Sequence, residues 1–189
     1  MPKHKRYDPT NVGQFEAILD DVLREVKWDD SSRRTSERFL DYLSEFLPTV
    51  RPPMTVFDTR DNQLVVASPI QFSSMCQHHL LPFLGHAHVG YVSDGKIIGL
   101  SKIPRLVEWV ARRPSTQEAM TTMIVDELKT LLKPKGVHVV IEAVHTCACA
   151  RGIRKVGMSM KTSLPTGVFR DNAVTRQEFL SLIDLQGAK

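Results

Sequence analysis

Cys76-Gln77-His78-His79 sets one thiol and two imidazoles within four residues. Thiolate and imidazole are preferred zinc ligands, and Cys76 with His79 has the i, i+3 spacing that a single turn can chelate. A small buried cysteine beside surface histidines would look the same locally, and zinc needs at least a third protein ligand. The chain has three cysteines, and the other two stand in His145-Thr146-Cys147-Ala148-Cys149. A strand continuing past Val144 would project His145, Cys147 and Cys149 from one face, because side chains alternate with period two. Free cysteines often serve only as small core residues, but here each lies in a His-containing cluster. A catalytic zinc needs only one of Cys147 and Cys149, since it keeps a position open for water. A non-catalytic zinc-stabilised binding module would close a fourth ligand, for which Cys149 is available.

Basic residues flank both clusters. Ser101-Lys102-Ile103-Pro104-Arg105 opens a helix just after a strand, where backbone N–H groups and the helix dipole favour an anion. Arg151-Gly152-Ile153-Arg154-Lys155 follows the second cluster. Solvated surface charge is the ordinary fate of such residues; their position beside candidate metal ligands suits a phosphate-bearing substrate. Glu118 has two readings. Ser115-Thr116-Gln117-Glu118 fits a capping box, in which Glu118 only ties down a helix start. A carboxylate there could also accept hydrogen bonds from a guanine-like donor edge.

These residues need elements to hold them. Apolar positions between Val12 and Val26, and again between Ser36 and Leu47, recur at helical spacing. Three prolines in Pro48–Pro53 end that part. We therefore divide the chain into an N-terminal helical part, 1–53, and a second domain, 54–189. In the second, 63–67 and 85–92 read as strands, and Ser93-Asp94-Gly95-Lys96 as a turn returning Ile97–Leu100 beside the preceding strand. Helices are expected over 104–112 and 115–132, strands over 137–144 and 158–164, and a last helix over 175–185 opening with the box Thr175-x-x-Glu178. Blocks of strands and helices in the order β-β-α-α-β-β indicate an α+β fold, an antiparallel sheet with helices packed on one face.

Composition narrows the class. The 189 residues are 42% hydrophobic and 24% charged, ordinary globular usage that argues against disorder. The net charge of +4 suits an anionic ligand and is too small to indicate nucleic-acid binding. Every apolar run is interrupted well short of a membrane span. The basic opening Met-Pro-Lys-His-Lys-Arg is followed by no apolar stretch of a secretory signal, so a cytoplasmic protein is expected.

Taken together, Ser74-Met75-Cys76-Gln77-His78-His79-Leu80-Leu81-Pro82-Phe83, Ile98-Gly99-Leu100-Ser101-Lys102 through Arg105, Arg112-Arg113, Gln117-Glu118, His145-Thr146-Cys147, Arg151-Gly152 and Gly167-Val168-Phe169-Arg170 resemble the GTP cyclohydrolase I family. The resemblance covers about 64–183, and Thr35-Ser36-Glu37-Arg38 matches more loosely. It implies the tunnelling fold, a homodecamer with active sites at subunit interfaces, and zinc-dependent conversion of GTP to formate and 7,8-dihydroneopterin triphosphate. It further implies zinc on Cys76, His79 and Cys147, and proton transfer by His78 and His145. Gln117 and Glu118 would hold the guanine edge. Ser101, Lys102, Arg105, Arg151 and Arg38 would contact ribose and triphosphate. Gln77 stands where the family usually has Glu, and Ala119 where it often has Arg. The nearest alternative is a tunnelling-fold purine or pterin enzyme that stops at a ring-opened intermediate.

Overall fold

The computed structural model describes residues 9–22, 34–47 and 50–184, and the chain divides into two compact units, Met1–Leu47 and Pro48–Lys189. In the first unit, helices α1 (Pro9–Val22) and α2 (Thr35–Glu45) are joined through aromatic rings, with Phe15 stacked on Phe39 at 5.6 Å. Residues 23–26 of the first expected helix lie outside the described residues.

The second unit is built on a five-stranded sheet in the order β5-β2-β3-β6-β7. Its strands are β2 (Leu64–Cys76), β3 (Pro82–Val92), β5 (Pro114–Ser115), β6 (Gly136–His145) and β7 (Met160–Pro165). All neighbours are antiparallel except the short β5, which runs parallel to β2. Period-two alternation gives β6 two working faces. Val137, Val139, Ile141 and Ala143 join the main core under helices α3 (Lys102–Ala111) and α4 (Gln117–Leu132). Met120, Ile124, Leu128 and Leu132 of α4 recur every fourth residue and are fully buried. Each such side chain contributes about 1.5–3 kcal/mol by leaving water. The α+β class expected from the order of elements is the one observed.

Over one end of the opposite sheet face lies α7 (Ala173–Asp184), preceded by the short α6 (Val168–Asp171). Phe169, Phe179 and Ile183 form a second cluster with Leu64, Val66, Val92 and Val140. A Cβ on Gly90 would come within 2.5 Å of the Phe179 ring, so glycine is what lets α7 approach the sheet here.

Three local expectations are corrected. The strand after the turn, β4 (Lys96–Ile98), does not return beside β3; it pairs with β1 (Val56–Asp58) in a separate two-stranded sheet. The last helix begins at Ala173, two residues before the expected Thr175. Its first turn is capped by Asn172, whose Oδ1 accepts from Val174 N–H at 2.9 Å. The N-cap of α4 is Thr116, whose hydroxyl accepts from Ala119 N–H at 3.1 Å. The box pairing Ser115 with Glu118 is therefore not formed.

His138, 1% exposed, packs between Phe169 and Phe179 and meets Ser163 Oγ through Nε2 at 2.8 Å, while Nδ1 has no partner. Burial, and secondarily the Arg176 charge, lower its pKa from 6.5 to about 4. The ring is thus neutral in the folded chain. Its full contribution is present above pH 6.5 and is lost as pH falls, because the unfolded chain takes up a proton that the folded chain refuses. By pH 4 the loss approaches about 3 kcal/mol. Denaturant unfolding between pH 7 and 4 is expected to show this slope, and His138→Phe to remove it. Parallel pH profiles in the two proteins would contradict the assignment.

Candidate active site

Cys76 ends β2 and begins a tight turn into β3. Cys76 N–H donates to Leu81 O at 2.9 Å, Leu80 N–H donates back to Cys76 O at 2.8 Å, and Leu80 takes a positive φ of 53°. The turn carries both histidines: His78 Nδ1 lies 3.8 Å and His79 Nδ1 3.7 Å from Cys76 Sγ. Beside it, β5 pairs Ser115 with Cys76, and Gln77 N–H donates to Ser115 O at 3.1 Å. This fixes the start of α4, with Gln117 and Glu118, next to the turn.

The second cluster arrives from β6, whose last residue, His145, is paired with Phe83. The strand does not run on. Thr146–Cys149 form a short helical turn, α5, and Thr146 Oγ donates to Pro82 O at 2.6 Å. The expectation that His145, Cys147 and Cys149 share one strand face is corrected accordingly. The turn sends Cys147 back towards Cys76. Among the described residues, Cys76, His79 and Cys147 form the single group whose potential ligand atoms all lie within 4.8 Å of one another. Cys149 is outside it, with its thiol 3.5 Å from Lys155 O.

Two thiols and an imidazole are a zinc donor set, and donors around a tetrahedral zinc stand roughly 3.5–4 Å apart. Cys76 Sγ and His79 Nδ1, 3.7 Å apart, have that spacing, and the Cys147 thiol completes the group within 4.8 Å. Burial, then the neighbouring Cys76 thiol, push the Cys147 thiol above its ordinary pKa, partly countered by Arg151. A divalent cation bound there would reverse that preference by holding both sulfurs as thiolates.

His145 is stacked on Phe83 at 4.5 Å with the rings 6° from parallel, and its Nε2 is 2.9 Å from Gln117 Oε1. Burial lowers its pKa, and the Glu118 carboxylate opposes this. Glu118 is exposed on the first turn of α4, whereas Gln117 beside it is buried.

One end of the sheet thus gathers Cys76, His78, His79, Gln117, Glu118, His145 and Cys147, with Arg151 exposed just beyond. Ser101 is the N-cap of α3 and Lys102 its first residue. Arg105 lines a cavity of about 490 Å³ with Ile70, Gln71 and Trp109, and none of the cluster residues lines it. Arg38 is exposed on α2 of the first unit. Sequence reasoning missed Phe83 as the stacking partner and the depth of Gln117; the i, i+4 recurrence of Gln117, Thr121 and Val125 on a buried face was the available signal for the latter.

The family profile of GTP cyclohydrolase I matches residues 13–184. The chain belongs to the GTP cyclohydrolase I family. It is 42% identical to the GTP cyclohydrolase 1 of Lysinibacillus sphaericus over 173 residues, 90% of this chain and 91% of that one. The Halalkalibacterium halodurans GTP cyclohydrolase 1 is 41% identical over 182 residues, 95% and 96% of the two chains. That of Gloeobacter violaceus reaches 49% over 128 residues, which is 68% of this chain and 60% of the relative. Among solved structures, the apo form of the archaeosine synthase QueF-Like is similar over 57% of this chain and 97% of its own, at 15% identity and a TM-score of 0.48. Among the described residues, no helix is long and apolar enough to cross a membrane.

Proposed function

We propose that this member of the GTP cyclohydrolase I family opens the imidazole ring of the guanine of GTP, releases formate and forms 7,8-dihydroneopterin triphosphate, with a net uptake of one water. The observation that carries this reading is the Cys76–His79–Cys147 group within 4.8 Å, in a chain matched to the family over 13–184.

Zinc would be held by Cys76, His79 and Cys147; when bound, it supplies a Lewis acid that makes water acidic enough to ionise near pH 7. The chain's own residues do the rest. Glu118, released from capping duty by Thr116, accepts hydrogen bonds from the guanine N–H donors; a base without those donors would leave the carboxylate unpaired, which is what excludes it. His145 moves protons through Nδ1, the ring nitrogen that Gln117 leaves free, and His78 serves as a second proton carrier from the neighbouring turn. Two C–N cleavages and a ring closure each relocate protons, which calls for groups that can both take up and give back a proton. Ser101, Lys102, Arg105 and Arg151 bind ribose and triphosphate, with Arg38 from the helical part. Following the family resemblance, we assign a homodecamer with active sites at subunit interfaces. The catalytic domain is 54–189, following an N-terminal helical part, and the protein is assigned to the cytoplasm.

The test is a GTP incubation in which formate and oxidised, fluorescent pterin are both quantified. Equal amounts of the two are expected. Formate without pterin would indicate an enzyme that stops at a ring-opened stage, and neither product would indicate a binding module.

A further inference from the structure

Gln117 is 1% exposed, and its amide is committed at both ends. Nε2 lies 3.0 Å from Ile141 O, 3.0 Å from Met160 O and 3.2 Å from Thr162 Oγ. Backbone carbonyls only accept, so the NH₂ end must face them; the flipped amide would set its oxygen against two carbonyl oxygens. Oε1 therefore faces His145 Nε2 at 2.9 Å, and it too can only accept. It follows that the proton of that bond belongs to His145 Nε2. A neutral imidazole carries one ring proton, so Nδ1 is left bare.

The surroundings hold this choice in place. Ile141 and Met160 belong to adjacent strands β6 and β7, so the amide is oriented by two sheet strands at once. Thr162 Oγ is also 2.7 Å from Thr121 Oγ, whose hydroxyl donates to Gln117 O at 2.8 Å. Rotating the amide would break bonds to β6 and β7 together and set its oxygen against two carbonyl oxygens. The imidazole is equally restrained, since Phe83 stacks on its face.

We infer that Gln117 is a positioning residue that locks His145 as its Nε2–H tautomer, presenting Nδ1 as the proton-accepting atom, and that it does not contact guanine directly. The inference rests on the proposed role of His145 in proton transfer. It assigns recognition of the guanine edge to Glu118 alone of the adjacent pair.

The test is nitrogen NMR on the zinc-loaded full chain labelled with ¹⁵N-histidine, with His145 identified by the resonance missing from His145→Gln. Wild type is expected to show His145 protonated at Nε2. Gln117→Met is expected to keep its zinc, lose the single tautomer and drop kcat about 10-fold or more, while KM for GTP stays within about twofold. An Nδ1–H tautomer in wild type would overturn the inference, even should Gln117→Met fail to fold. So would a raised KM in Gln117→Met with tautomer and kcat unchanged, the signature of a direct guanine contact. Full turnover in His145→Ala would instead overturn the proton-transfer reading, which separates the two failures.

Discussion

Cys76→Ser and Cys147→Ser are each expected to lose zinc and, with it, at least ~10³-fold of GTP turnover. A serine hydroxyl does not ionise at neutral pH and cannot replace a thiolate as ligand. Either change leaves two of the three donors in the group, Cys76, His79 and Cys147. The control is Cys149→Ser, expected to keep both metal and turnover, because that thiol faces Lys155 O outside the group. Metal analysis beside the activity assay checks all three variants. A stoichiometric metal content in Cys76→Ser or Cys147→Ser would remove those residues from the ligand set.

The second large effect is expected at His145. His145→Ala should retain zinc and lose ~10²-fold or more in turnover, the scale of a missing general acid or base. The substitution also leaves the buried Gln117 Oε1 without its donor and removes the ring stacked on Phe83. Stability should therefore fall by about 1–3 kcal/mol as well. Measuring metal content, unfolding and single-turnover chemistry on the same preparation separates these contributions. Zinc loss in His145→Ala would make His145 a ligand. Unchanged turnover would remove the proton-transfer role.

The sequence was informative where chemistry or periodicity is local. Cys76-x-x-His79 already has the spacing of a turn, and the alternation Val137, Val139, Ile141, Ala143 is a strand buried on one face. It was uninformative where a distant partner decides the outcome. Nothing between Val144 and Cys149 says that β6 must stop at His145; the stop goes with Thr146 bonding Pro82, which is far away in the chain. The turn at Gly95, with φ of 78°, was readable from Ser-Asp-Gly-Lys, yet the partner of the strand after it was not. That partner, β1, comes from the segment following the proline-rich connection. Ser115-Thr116-Gln117-Glu118 offered two adjacent hydroxyls as caps, and a one-residue difference decided whether Glu118 was spent on the helix or left exposed. Gln117 illustrates the same limit, since its role depends on carbonyls of β6 and β7 that converge only in the folded sheet.

We propose the Cys76–His79–Cys147 group as the metal centre of a complete GTP-to-pterin conversion. The most direct measurement quantifies formate and pterin from one GTP incubation, run on zinc-loaded protein, on chelator-treated protein and after zinc is restored. Equimolar formate and pterin are predicted from the loaded protein, neither from the stripped protein, and recovery of both in proportion to the zinc returned. Undiminished formate and pterin from zinc-free protein would contradict the account.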